Sequence, residues 1–517
     1  MAKGSNVPVE QIDEFRWRIP RSCRADMRVD GVVYSSQAMI ADVIAGGGLD
    51  QVANVATLPG IVGNSLAMPD IHWGYGFCIG GVAATDISAG GVVSPGGVGY
   101  DINCGVRLLR TDMARRDVAP RIEALAAWLF RDVPSGVGVG GPYKFDAKDI
   151  RRILTDGCAF LERKGLAGRE DIEVTESGGC LEGADADMVS DRAIKRGNDQ
   201  CGTLGSGNHF AEVQFVEKVH DAEAASAFGL AEGMVTIMIH SGSRGLGYQV
   251  CDDYLKQLRT CPARYGIELP DRQLVCAPFD SPEARRYVAA MRAAANFAWA
   301  NRQLLAREIR HSFARFFDES PENLGITQVY DVGHNMAKVE THIVDGQEKK
   351  LCVHRKGATR AFPAGHGDVP EKYRSTGQPV LIPGDMGTAS WVLVGTGKAM
   401  EESFGSCCHG AGRVMSRHEA IRSAKGRRID KELAVRGIYA KARGRTGLAE
   451  EQPEAYKDVD AVVQCVHAAG LARKVARLRP MAVVKGYRGG KFAKVCRVFH
   501  CELSLKKPTY NLYLSNS

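Results

Sequence analysis

The chain has 517 residues, 44% of them hydrophobic and 25% charged, with a formal net charge of +7. No apolar run approaches the roughly 20 residues that span a bilayer, and no apolar stretch follows the lysine of the N-terminus to act as a secretory signal. Paired CxxC knuckles are absent, which argues against a zinc ribbon, and a cytoplasmic setting would keep the 15 cysteines reduced.

In chain order, Arg28 to Tyr34 reads as a hairpin turning at Asp30-Gly31. Ser36 to Ile44 then carries apolar residues at helical spacing. Residues 68–110 are glycine-rich, with short β-like runs at 80–84, 91–93 and 106–109. Such a stretch predicts strands joined by loops whose backbone approaches a ligand closely. Arg121 to Phe130 and Lys148 to Lys164 read as helices, and Ser281 to Phe317 as a long alanine- and arginine-rich helical region. Val235 to Ile239 predicts a buried strand ending at His240, and Gln328 to Val332 another ending near His334. No repeat, low-complexity segment or clear linker divides the chain. The expected fold class is α+β, a single large intertwined domain. The charge is uneven: from Tyr487 to Ser517 there are six basic residues and one acid, Glu502, so removing that segment takes +5 from +7 and leaves +2. A nucleic-acid site in the body must therefore be a local patch.

Two stretches carry most of the chemistry. Gly99-Tyr100-Asp101-Ile102-Asn103-Cys104-Gly105 sets a carboxylate and a thiol three residues apart in a glycine-rich loop. Three histidines, His209, His240 and His334, stand at or beside strands next to Gly, Ser or Asn. One thiolate, one carboxylate and three imidazoles are enough to hold one or two divalent cations, and ligand softness alone favours zinc over manganese. The second stretch, Ser406 to Gly412, presents His409 on small residues. His409 has two readings, a further metal ligand or a nucleophile that attacks phosphorus. Arg244, Arg413 and Arg417 lie close to these motifs and are candidates for RNA phosphates. His72 reads as a surface residue. A literal GxGxxG at Gly136, Gly138 and Gly141 lacks a strand–helix context, and no GxxxxGK[ST] is present.

Together the segments at 68–72, 94–107, 202–210, 238–245, 330–335, 354–361 and 408–413 resemble the RtcB family of RNA-splicing ligases. The resemblance runs from about residue 10 to Lys485-Gly486. It implies mixed sheets around a central metal and nucleotide cleft, in a ligase domain of residues 1–486 followed by a basic, mobile extension of 487–517. It further implies a GTP- and manganese-dependent enzyme that joins RNA 2′,3′-cyclic phosphate or 3′-phosphate ends to 5′-hydroxyl ends through a histidine–GMP intermediate. tRNA halves or broken RNA would be its substrates, and an archease-type activator is a candidate partner. Asp101, Cys104, His209, His240 and His334 would hold two manganese ions, with Cys104 bridging, and His409 would accept GMP. The guanylate pocket would comprise Asn208, His209, Phe210, Ala211, Glu212, His334, Asn335, Pro383, Gly384, Asp385, Met386, Ser390, His409, Gly410, Ala411, Gly412 and Lys485. Glu212, Ser390 and Lys485 would read the base. Asp385 departs from the family's usual Ser or Thr, and a carboxylate there is expected to repel a phosphate. A cyclic phosphodiesterase and a non-catalytic RNA-binding scaffold are the rival readings.

Overall fold

The computed structural model describes residues 4–486, so the extension 487–517 lies outside the described residues. Two large sheets organise one domain. The first has seven strands in the order Glu10–Gln11, Arg16–Ile19, Gly31–Tyr34, Ile61–His72, Ile79–Asp86, Gln347–Lys356 and Asn335–Val344. It is antiparallel except where Gly31–Tyr34 runs parallel to Ile61–His72. The second runs Thr327–Gly333, Gly105–Ala114, Met234–Ser241, Phe210–Val219, Ala472–Lys485, Ser390–Gly395 and Pro379–Ile382, with Tyr439–Lys441 parallel to Ala472–Lys485.

The register of the second sheet creates the site. Gly105 pairs with Gly333 and Ser241, His240 with Phe210, and Phe210 with Lys485. Two strands therefore begin and three end along one edge, so the loops at 101–104 and 207–209, His240 and His334 meet there. Functional groups placed at strand ends inherit the rigidity of the ladder behind them.

The helix Pro282–Phe317 packs beneath this edge, capped by the Ser281 hydroxyl, which accepts from the Ala284 amide. Its run of alanines from Ala293 to Ala300 is fully buried. Small side chains let the helix pass close to its neighbours, including the amphipathic helix Ala147–Arg163. Among the described residues no helix is long and apolar enough to cross a membrane.

Two expectations need correction. Residues 28–34 are not a hairpin: only Gly31–Tyr34 is a strand, and its antiparallel partner is Arg16–Ile19. Asp30 instead accepts a hydrogen bond from the Arg21 amide at 2.7 Å, closing the connection between those two strands. The second concerns the start of the next helix, which begins at Ile40 after a turn rather than at Ser36. The glycines at 136–141 lie in a loop joined to Gly205 by a bridge at Ser135, outside any strand–helix turn.

Candidate functional site

Asp101, Cys104, His209, His240 and His334 converge at the sheet edge. The Cys104 Sγ lies 3.2 Å from His209 Nε2 and 3.3 Å from His240 Nε2. His240 Nε2 is 3.3 Å from His334 Nε2, and His209 Nε2 is 2.9 Å from the Asp101 carboxylate. Burial lowers the pKa of all three imidazoles, most strongly at His240 and His334, so they are neutral and offer lone pairs. Burial works against the Asp101 carboxylate, yet its bond to His209 and the neighbouring charges hold it well below the usual range. Burial and Asp101 push the Cys104 thiol well above its ordinary pKa. A thiolate there needs cationic compensation, which divalent metal supplies. Cys104, His209 and His240 bring their ligand atoms within 4.8 Å of one another, with Asp101 beside His209 and His334 beside His240, a donor set that fits transition metal.

The loop is held from behind. Asn103 sits at φ 51° and donates through its amide to the Ala295 carbonyl at 2.8 Å. Arg302 donates to the carbonyls of Asn103 and Ser241, at 2.7 and 2.9 Å, and pairs with Asp331. Asp331 also pairs with Arg107 at 2.8 Å, all three side chains being fully buried. Removing the shared carboxylate leaves two buried guanidiniums uncompensated. Asp331→Ala is therefore expected to cost about 3–5 kcal/mol in denaturant unfolding. Gly242 must lack a Cβ, since one would stand 2.4 Å from the Asp101 carboxylate.

His409 follows the strand Ser406–Cys408 and faces this cluster, its ring centroid 4.8 Å from that of His334. Its Nδ1 is 2.5 Å from Asp70 Oδ2, which also accepts the His409 amide at 3.0 Å. With Nδ1–H given to Asp70, Nε2 is the nitrogen left for chemistry. Gly412, at φ 76°, lies where a Cβ would be 2.3 Å from the Asp70 carbonyl. Gly412 thus seats the end of this loop against the strand Ile61–His72.

A cleft of about 300 Å³ joins these groups. Asp101, Cys104, Asn208, His209, His240, His334, Asn335, Pro383, Gly384 and His409 to Gly412 line it. The Asn335 amide is also structural: it donates to the Asp101 carbonyl at 3.1 Å and accepts from the Gly357 amide at 2.8 Å. Phe210, Ala211, Glu212, Asp385, Met386, Ser390 and Lys485 lie buried beyond the cleft lining. There Gln214 donates to Glu212 and Ser390 at 2.6 and 2.9 Å, while Lys485 Nζ stands 5.0 Å over the Phe210 ring. Gly486 continues the chain, its amide on the His209 carbonyl at 3.2 Å.

The Asp385 carboxylate does not face the cleft as an isolated charge. It accepts from the Gly387 and Thr388 amides at 2.7 and 3.1 Å and from the Thr388 hydroxyl at 2.8 Å. The substitution thus closes its own turn.

Arg413 and Arg417 line the cleft but are not free: both pair with Glu451, and Arg417 also with Glu450. Arg413 further donates to the Tyr456 hydroxyl at 3.0 Å, and that hydroxyl lies 3.2 Å from Asn208 Oδ1. Arg244 is bonded at 3.0 Å to His209 Nδ1. His72 is corrected from surface residue to cleft lining, with burial lowering its pKa to about 4. Asp70, Glu450, Glu451 and Tyr456 escaped sequence reasoning altogether. Only Asp70 left a trace, as part of the Met68 to His72 segment.

The model of the family described as tRNA-splicing ligase RtcB matches residues 51–486. The chain belongs to the RtcB family. A tRNA-splicing ligase RtcB of Thermococcus kodakarensis is 53% identical over 480 residues, covering 93% of this chain and 99% of the relative. The Archaeoglobus fulgidus tRNA-splicing ligase RtcB is 52% identical over 478 residues, 92% of this chain and 99% of its own length. An RNA-splicing ligase RtcB of Mycobacterium tuberculosis is 54% identical over 439 residues, 84% of this chain and all of the relative. The RtcB match ends where the described residues end.

Proposed function

We propose that the chain is a GTP-dependent RNA ligase, acting in tRNA splicing or RNA repair, that joins RNA 2′,3′-cyclic phosphate or 3′-phosphate ends to 5′-hydroxyl ends. The observation that carries this reading is His409, held by Asp70 and facing the Cys–His cluster. A histidine fixed in that tautomer is a phosphorus nucleophile, and a bare hydrolase would not need one. Two manganese ions would be held, one by Asp101 and His209 and the other by His240 and His334, with the Cys104 sulfur shared. When bound, they supply positive charge to the phosphates and activate water for opening a cyclic phosphate.

The chain's own residues carry the rest. His409 Nε2 attacks the α-phosphorus of GTP, the bond to the bridging oxygen breaks and pyrophosphate leaves. His409 keeps its Nδ1 proton, donated to the Asp70 carboxylate, which stabilises the charge that develops on the ring. An oxygen of the RNA 3′-phosphate then displaces His409 from phosphorus, giving an RNA–GMP anhydride. The 5′-hydroxyl attacks the activated 3′-phosphate, loses its proton, and GMP departs. Arg413 and Arg417 would meet RNA phosphates only by exchanging their Glu450 and Glu451 partners for them. The direct test is incubation with α-labelled GTP and manganese, then denaturation. Label on the protein that chases into RNA on adding a 3′-phosphate strand is expected; unlabelled protein overturns the reading.

Glu212, Ser390 and Lys485 would read the base. Burial pushes the Glu212 carboxyl up to about 8, against the opposing bond from Gln214 and the charge of Lys485. Before nucleotide binds, burial keeps it protonated below that pH, whereas guanine N–H donors favour the carboxylate. GTP binding should therefore release a proton and tighten as pH rises toward about 8. Calorimetry in buffers of different ionisation enthalpy reads the proton directly. Glu212→Gln should bind more weakly and lose both the proton release and the pH slope.

A further inference from the structure

The helix Arg417–Ser423 links the cleft to a second depression. Arg417 lines the cleft, while Ile421 and Ala424 line a separate groove of about 630 Å³. At 1.5 Å per residue, the seven steps from Arg417 to Ala424, the residue that caps the helix, span about 10 Å. The groove's other walls come from residues 426–431, the strand Tyr439–Lys441 and the helix Arg445–Glu450.

The groove is basic in a way that the cleft is not. Lys431, Lys441 and Arg445 line it, and none has an acidic partner among the described residues. Arg427 and Arg428 line it too, but Glu432, Glu454 and Asp430 neutralise them. Glu123 is the acid on the wall that neutralises no arginine or lysine among the described residues. The cleft arginines, by contrast, are committed to Glu450 and Glu451 at the far end of the same helix that contributes Arg445. Unpaired, solvated cations around an open groove repel one another until a polyanion enters, and that gain appears as counterion release.

Resting on the ligase reading, we propose that this groove carries the sugar–phosphate backbone of an RNA strand whose terminus reacts in the cleft. Its phosphates would lie on the far side of the helix Arg417–Ser423 from the joined end, beyond the reach of a dinucleotide held in the cleft. Such contacts position the strand without reading its sequence.

The triple variant Lys431→Ala, Lys441→Ala, Arg445→Ala tests it in the full chain. Binding of 3′-phosphate RNAs of about 12 and about two nucleotides is measured across a salt series, where each lost single-strand phosphate contact lowers the log–log slope by about 0.7. For the long RNA the slope should fall by about 2. Dinucleotide binding and labelling by GTP should stay at wild-type levels. The charge-preserving set Lys431→Arg, Lys441→Arg, Arg445→Lys should restore the slope. An unchanged slope in the alanine variant overturns the groove, and so does an equal loss for both RNA lengths. A wild-type protein with no affinity for either RNA would instead remove the ligase reading itself.

Discussion

His409→Ala is expected to abolish covalent labelling by GTP, a loss of at least about 10⁴-fold, as when a nucleophile is deleted from other covalent enzymes. The protein should remain folded, because the His409 backbone amide still donates to Asp70 after the ring is gone. Label on the wild type should be acid-labile and alkali-stable, as a phosphoramidate is. Asp70→Asn probes the same step from behind. Its amide can no longer take the Nδ1 proton as a carboxylate does, so the ring loses its fixed tautomer and the stabilisation of its cationic form. A fall of about 10²–10⁴-fold in the labelling rate, with GTP binding retained, is expected. Label persisting in His409→Ala would move the nucleophile elsewhere.

Cys104→Ala should strip the centre of metal. The sulfur stands 3.2 and 3.3 Å from two imidazole nitrogens, so under the proposed two-metal arrangement both ions would lose a ligand at once. Elemental analysis should find bound manganese falling from two ions per chain to well under one, and labelling and ligation should vanish with it. Cys407→Ala and Cys408→Ala form the internal control. Both thiols are buried in the strand Ser406–Cys408, their sulfurs 3.9 Å apart, and neither belongs to the metal-ligating group. These variants should keep full metal content. Wild-type labelling in a metal-free Cys104→Ala protein would overturn the two-metal model.

The parts of this architecture that the sequence displays are those whose cause is local. The strand Met234–Ser241, expected to end at His240, and the helix after Ser281 announce themselves by an apolar run and by a long alanine- and arginine-rich stretch. The Cys–His set was legible because each member sits in an unusual small-residue setting. Asp70 was not, because its partner is 339 residues away and a carboxylate inside a strand has no local signature. The same holds for Glu450 and Glu451, which look like ordinary helix-end acids until folding brings Arg413 and Arg417 against them. Asp30-Gly31 misled for the converse reason. It has the composition of a tight turn, but the strand opposite Gly31–Tyr34 had already been laid down at Arg16–Ile19.

The strand Ala472–Lys485 has a consequence for how the protein is made. It lies inside its sheet, bonded to Phe210–Val219 on one side and Ser390–Gly395 on the other. A nascent chain that has emerged only as far as residue 471 already encodes every metal ligand and His409. Its sheet is nevertheless in two pieces, each with an open edge where this strand belongs, and such edges invite pairing between chains. At about 5–20 residues per second of synthesis, the ribosome exposes those edges for as long as the last segment takes to appear. A message truncated before that point leaves the Cys–His edge on one piece of the sheet and Ser390–Gly395 on the other, without the strand that joins them and without Lys485.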